Sequence, residues 1–457
     1  MEGVVFMSNN RISNGRTLVI GFMLFATFFG AGNLIFPASM GQHAGVNVWY
    51  AVLGFIFTGV GLPFLGVLAI GYSGCRDLEE LAGRVSPKYG MIFALVCYLA
   101  LGPCFAGPRT GTVSYEIGAK PFFTNGGDFI TMAIYLCLFF ALTFWLASSP
   151  SKIIDRVGKI LSPALMIVIA ILIIKAVATP LGQFQIADSA YDTSTKAIFQ
   201  GFLDGYNTMD ALAAFFNAIF LVGAIKESGA MTKGDVSKEL GRVGIIGIGL
   251  LAIVYIFIAY LGATSVSSIG IQETGASVLL LSAKILLGTA GAYVLSAIVV
   301  LACLTTSVAL VTCPALYFNE LFKERVPYKL WLAVFTIASF LVSLFGLKTI
   351  IVLAIPVLVL MYPLIMALLL LTFTHNFFNG RQCVYVWTTA LTFIPALVSG
   401  MQVAHISLGP IERLFNMYVP FNSLGMGWVC FTLGGYLIGV IWANLNPTSS
   451  GSSLKGA

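Results

Sequence analysis

The sequence predicts an all-α polytopic membrane protein of about twelve transmembrane helices, and three observations carry that prediction. Of 457 residues, 58% are hydrophobic and only 9% are charged, whereas a water-facing surface is built with about 25% charged residues. The mean hydropathy is +0.96. The apolar residues also gather into runs near the roughly 20 residues that a helix needs to cross a bilayer, separated by loops carrying charge, Gly or Pro.

The runs fall at 18–42, 46–72, 90–115, 129–147, 153–178, 201–225, 241–263, 286–318, 330–346, 349–373, 383–401 and 425–444. Residues 1–16 are polar and lack a signal-peptide apolar core, so the first run is expected to stay as a span. Residues 17–444 read as a single transmembrane domain, and 445–457, rich in Ser and Gly, as a flexible tail. Orientation follows from the loop Lys and Arg. With the N-terminus inside, seventeen of the 24 fall on the cytoplasmic side, among them Arg76, Arg84, Lys152, Arg242, Lys323 and Arg381. Both termini are therefore expected in the cytoplasm of a cell that carries this chain in its plasma or inner membrane.

Several function classes drop out. The net charge of +6 is spread over loops without a basic stripe, so nucleic acid is not an expected partner and membrane lipid is. No obligate protein partner is inferred. The eight cysteines form no C-x-x-C pair and read as small buried hydrophobes, and His43, His375 and His405 are too scattered for a metal cluster. No Gly-x-Ser-x-Gly, His-Glu-x-x-His or Ser/His grouping occurs within the spans, so an enzyme is not expected. The outer loop 179–200, with Asp188, Tyr191, Asp192 and Lys196, reads as a solvated connector. The 402–424 segment, with His405, Glu412 and Arg413, reads as an interfacial helix.

Two spans carry signs of interruption. The first holds Phe28-Phe29-Gly30-Ala31-Gly32-Asn33-Leu34-Ile35-Phe36-Pro37, the sixth Leu203-Asp204-Gly205-Tyr206-Asn207-Thr208-Met209-Asp210-Ala211. Glycine alone serves as a close-packing device in membrane helices, but here polar residues stand beside it. A carboxylate such as Asp210 at the bilayer centre costs about 2.5–3.5 kcal/mol on insertion scales. The two breaks lie five spans apart, as if two five-helix units, about 16–178 and 201–373, formed an inverted repeat, with two extra helices in 383–444. Broken helices at matching places in inverted halves point to a transporter site at mid-membrane. Half-helix N–H ends there suit an anion and C=O ends a cation.

Three further stretches stand out. In the eighth span, Ala302 and the pair Thr305-Thr306 offer a carbonyl and two hydroxyls on one helix face. Such a set suits a singly charged ion such as Na⁺ better than Ca²⁺; the alternative is plain back-bonding of Thr to the preceding turn. In the third span, Gly107-Pro108-Arg109-Thr110 is followed by Glu116, an intramembrane pair expected to lock this span to a neighbour rather than to touch substrate. Pro356 and Pro363 are expected to kink the tenth span.

Phe29 to Pro37, Gly61-Leu62-Pro63, Gly107 to Thr110, Gly205-Tyr206 with Thr208-Met209-Asp210, and Leu304-Thr305-Thr306-Ser307-Val308 resemble the bacterial branched-chain amino acid:cation symporters. The resemblance runs from about 16 to 444, and that family is similar to the group with the leucine-transporter-type fold. It implies substrate contacts at Phe29, Gly30, Ala31, Gly32, Asn33, Tyr206, Thr208, Met209 and Asp210, with the Ala31 and Gly32 N–H groups holding the substrate carboxylate. It implies a sodium site formed by the carbonyls of Ala26, Phe29 and Ala302 and the hydroxyls of Thr305 and Thr306. A weaker sodium site is implied at Asn33 and Thr208. The fold's carboxylate-binding tyrosine of the third helix has no clear counterpart; Arg109 stands in that stretch instead. Phe25, Phe29, Met209, Ala211, Ala213 and Ala214 would wall a pocket for leucine, isoleucine or valine. No cofactor is expected beyond a coupling ion. Sodium is favoured because Lys159 and Lys175 leave the middle of the fifth helix free of the lysine that replaces sodium in some relatives of the fold. Proton coupling through Asp210 or Glu116 is the alternative.

Overall fold

The computed structural model describes residues 14–123, 128–148, 152–227 and 233–446. Among them the chain is all-helical, with no strand. The helices are α1 (Asn14–Phe28), α2 (Ala31–Ala44), α3 (Val48–Ile56), α4 (Leu62–Ser73), α5 (Leu78–Gly83), α6 (Pro87–Leu99), α7 (Ala106–Gly118), α8 (Phe129–Ser148) and α9 (Lys152–Ala178). There follow α10 (Ser194–Asp204), α11 (Asp210–Glu227), α12 (Lys233–Ile269), α13 (Gly275–Leu321), α14 (Tyr328–Ser343), α15 (Leu347–Phe373), α16 (Gln382–Val403), α17 (Pro410–Tyr418) and α18 (Trp428–Leu445).

Eight helical stretches among the described residues are long and apolar enough to cross a membrane, and a ninth is added when the bent pair α10 and α11 is taken as one span. That is fewer than the twelve expected. Three further apolar stretches make up the difference: α1, α14 and residues 166–178 of the 27-residue α9. Most of the expected 1–16 segment and of the 445–457 tail lies outside the described residues.

Glycine at helix crossings sets the packing around the two interrupted spans. A Cβ on Gly41 of α2 would stand 2.1 Å from the Ala259 carbonyl oxygen, and one on Gly262 of α12 would stand 2.1 Å from that of Ala38. The same reciprocity joins α3 to α10, at 1.9 Å for Gly54 against Ile198 and 2.0 Å for Gly201 against Ala51. Backbones approach this closely only where no side chain intervenes. Helix α1 also lies on α12, and α11 lies on α4. Each broken span is thus gripped along its length by one partner, the first by α12 and the sixth by α3 and α4.

Three expectations change. Residues 275–285 are not loop but the first part of α13, which turns at Gly288 (φ 71); the Thr274 hydroxyl starts this helix by accepting from the Ser277 N–H. The 179–200 loop is not a free connector. Asp188 N–H donates to the His43 carbonyl (2.9 Å), Val46 N–H to the Gln185 carbonyl (3.0 Å) and Asn47 Nδ2 to the Tyr191 carbonyl (2.7 Å). The loop therefore straps the C-terminal end of α2 to the start of α10, because its own backbone needs partners that the end of α2 supplies. Cysteines 75, 97 and 303 are buried as expected, but Cys137 is exposed. Helix α15 continues through both Pro356 and Pro363. Helix α17 forms where an interfacial helix was expected, with Ile411, Leu414 and Met417 exposed.

Candidate functional site

The first span is broken. Helix α1 ends at Phe28 and α2 begins at Ala31, with Gly30 extended between them (φ −124, ψ −170). Phe29 N–H still reaches the Phe25 carbonyl at 2.8 Å, but Gly30 N–H turns to Asn33 Oδ1 at 2.9 Å. The Ala26 carbonyl thereby loses the donor that a continuous helix would give it. Asn33, at the third position of α2, reaches back in the manner of a capping-box side chain. The N–H groups of Ala31, Gly32 and Asn33 have no acceptor within their own helix.

The sixth span is broken too, with a 48° bend between its halves. Helix α10 tightens into a 3-10 turn over Gly205–Thr208, Met209 adopts the left-handed conformation (φ 62), and α11 starts at Asp210. Thr208 Oγ1 donates to the Gly205 carbonyl at 2.9 Å and accepts from Asp210 N–H at 3.4 Å. A side chain in the left-handed region costs about 1–2 kcal/mol, so surrounding contacts must hold this turn.

Asn33 joins the breaks. Its Nδ2 donates to Asp210 Oδ2 and to the Tyr255 hydroxyl of α12, and Tyr255 also donates to Asp210 Oδ2 at 3.1 Å. Asn33, Asp210 and Tyr255 are 2%, 5% and 1% exposed. Asn33 Nδ2, the Tyr255 hydroxyl and Asp210 Oδ2 are matched within this cluster, which favours burying a carboxylate and an amide together. Asn33 and Thr208 come near one another through Asp210, but the Asn33 oxygen already accepts from Gly30.

The eighth span reaches the first break. Thr305 and Thr306 hydroxyls both donate to the Ala302 carbonyl, at 2.9 and 3.0 Å, which is the back-bonded geometry. Each hydroxyl keeps acceptor lone pairs. A Cβ on Gly30 would lie 3.7 Å from Thr306 Oγ1, so the end of α1 and this threonine pair face each other.

Arg109 departs from expectation. It makes no pair with Glu116, which instead takes Lys120 one turn on, at 3.2 Å. Two positions seven apart on a helix lie about 10 Å apart along its axis, too far for a direct pair. Arg109 Nη1 donates to the Asn207 carbonyl (2.6 Å) and Nη2 to the Thr208 carbonyl (3.3 Å), while the guanidinium covers the Phe36 ring at 5.0 Å. A widened turn at Ala100–Cys104 carrying Pro103 precedes α7 and turns this face inward.

Among the expected wall residues, Phe25 and Phe29 stack with centroids 4.7 Å apart, and Met209 is buried. Ala214 instead meets Gly66 of α4, where an added Cβ would stand 2.9 Å from it; it is a packing contact. Tyr206 stacks on Tyr362 of α15 with centroids 4.0 Å apart, and both hydroxyls are buried with no hydrogen-bond partner among the described residues. Tyr255 and Tyr362 were missed from sequence. A tyrosine inside an apolar run was the available signal, but it is shared with many packing residues.

Over residues 13–446 the chain matches the sequence profile of the family described as branched-chain amino acid transport protein. It is 42% identical over 433 residues to the branched-chain amino acid permease BrnQ of Bacillus subtilis, covering 95% of this chain and 98% of that one. It is also 42% identical over 425 residues to the permease BraB of the same organism, covering 93% and 95%. The fold is similar to the solved structure of Mhp1, a nucleobase-cation-symport-1 family transporter, in a closed conformation: TM-score 0.61 at 14% identity, over 95% of this chain and 94% of that one. With a match that spans nearly its whole length, the chain belongs to the branched-chain amino acid transport protein family.

Proposed function

We propose that this chain imports leucine, isoleucine and valine by sodium-coupled symport and alternating access. Family membership makes it a multi-pass membrane transporter of branched-chain amino acids and not an enzyme. The coupling and the site are the further step. The observation that carries them is the junction of the two broken spans at Asn33, Asp210 and Tyr255, with Thr306 facing the first break.

The substrate carboxylate takes the unpaired N–H groups of Ala31 and Gly32, where the helix dipole of α2 favours an anion. Phe25, Phe29 and Met209 give an apolar wall that favours an aliphatic side chain and penalises a charged one through desolvation. Sodium binds between the Ala26, Phe29 and Ala302 carbonyls and the Thr305 and Thr306 hydroxyls. An ion there ties the end of α1 to α13, so its arrival and the substrate's arrival act on the same break. Support for the inverted repeat comes from the packing: α1 and α2 lie on α12 as α10 and α11 lie on α3 and α4. Both termini are in the cytoplasm.

The alternative, proton coupling, falls on Asp210 and not on Glu116, which lies at the end of α7 against Lys120. Uptake of labelled leucine into proteoliposomes, with an inward Na⁺ gradient in one set and an inward H⁺ gradient in another, decides between them. Accumulation with sodium alone is the expected result. Accumulation with protons alone overturns the sodium site and leaves Asp210 as the titrating group. No accumulation in either, from folded protein, overturns the substrate.

A further inference from the structure

Arg109 is 7% exposed, and no carboxylate pairs with it among the described residues. Its only hydrogen bonds there go to the carbonyls of Asn207 and Thr208, so three of its five N–H donors have no acceptor among those residues. Asp210 is close enough to act on its charge, but no hydrogen bond joins the two among the described residues. A Cβ on Gly32 would stand 2.8 Å from Nη2 and 3.1 Å from the guanidinium carbon, so the group lies against the first turn of α2. That turn carries unpaired N–H groups and the positive end of the helix dipole. Asp210, the nearest carboxylate along the break, is engaged with Asn33 and Tyr255. The spare guanidinium donors and the unpaired N–H groups of α2 therefore stand side by side, with Asp210 within electrostatic reach and Phe36 closing one side. An anion between them relieves both, and the planar guanidinium fork matches a carboxylate in two-point contact.

We propose that Arg109 binds the α-carboxylate of the substrate, together with the N–H groups of α2. This rests on the amino acid transport reading above and adds to it a charged side chain as the specificity-determining ligand. The resident guanidinium supplies the positive charge that the carboxylate meets. Gly32 is required because a side chain there would occupy the meeting point. Because the same guanidinium holds the Asn207 and Thr208 carbonyls, a carboxylate drawn to it bears on both breaks at once.

The test compares L-leucine with L-leucinol, in which a CH2OH group replaces the carboxylate, as competitors of labelled leucine bound to the purified full chain. Wild type is expected to prefer leucine. In Arg109→Gln, leucine affinity is expected to fall by about ten- to a hundredfold, the value of a charge-assisted hydrogen bond, with leucinol unchanged. Arg109→Lys is expected to keep part of the preference. A parallel loss for leucine and leucinol in Arg109→Gln means that Arg109 only braces the break and overturns the proposal. So does leucinol competing as well as leucine against wild type, a readout that needs no variant. If Arg109→Gln elutes aggregated in detergent, Gly32→Ala is read in the same way, since it pushes the guanidinium from its place. Wild type binding neither compound overturns the substrate assignment itself and is thereby distinguished from failure at Arg109.

Discussion

The first break and the sixth-span break have matched surroundings and unmatched chemistry. Each is gripped along its length by a neighbour at glycine crossings. Yet the first is closed by its own chain, the Gly30 N–H bonding to Asn33 three residues on. The second is held from outside as well as locally. Thr208 bonds across its left-handed Met209, and its carbonyls at 207 and 208 take Arg109 from a helix 98 or more positions away. A break that caps itself is a local property of sequence; one that imports a cation is a property of the assembled bundle. The second break is thus the one hydrogen-bonded to α7 through Arg109.

The sharpest way to break this comparison is Asp210→Ala. It removes the acceptor of the Tyr255 hydroxyl and one of the two acceptors of Asn33 Nδ2, at about 1–3 kcal/mol for each buried donor left unmatched, and leucine uptake is expected to be lost. Asp210→Asn keeps an acceptor and is expected to fold, so near-normal uptake by the alanine variant would remove the residue from the site. Next come the two glycines of the first break. Gly32→Ala collides with Arg109 at 2.8 Å, whereas Gly30→Ala meets its nearest atoms at an ordinary 3.6 Å. Overpacking of about 1–3 kcal/mol is expected for the first alone, and equal transport rates in the two variants would contradict it. Thr305→Ala with Thr306→Ala is expected to raise the sodium concentration for half-maximal uptake about tenfold, equivalent to about 1.4 kcal/mol; an unchanged sodium dependence removes the threonines from the ion site. The smallest effect belongs to the 179–200 strap. Asp188→Asn weakens a half-exposed contact with His43 and is expected to shift the thermal midpoint by less than the equivalent of about 1 kcal/mol. A larger shift would make the strap a main support of both breaks.

Much of the helix content was legible because a bilayer imposes a length and a composition on every span. The expected run at 153–178 compares with α9 at Lys152–Ala178, and 349–373 with α15 at Leu347–Phe373. Errors came where amphipathic or bent segments mimic loops. Residues 275–285 carry Ser and Lys284 among their apolar residues and read as loop, and the bend at Gly288 separates them from most of the span that follows. In the candidate site, Asn33 and Asp210 were legible as polar residues beside glycines in apolar runs. Tyr255 was not, since one hydroxyl in a long apolar helix is as well suited to packing. Arg109 was noticed and given the wrong partner, because sequence spacing suggested Glu116 while the carbonyls that it satisfies lie on another helix.

By itself the sequence determined that the chain spans a membrane many times, that spans one and six are interrupted, and which family it resembles. These are consequences of local composition: apolar length, glycine beside polar residues, and short motifs that keep their spacing. Only the tertiary structure decided which groups meet at the interruptions. Asn33 finds Asp210 and Tyr255 at 177 and 222 positions' distance, and Arg109 finds the far break and not its own helix's glutamate. The reason is that a buried polar group must be satisfied by whatever helix packing brings within about 3 Å, and that distance is set by how helices cross, not by how residues follow one another.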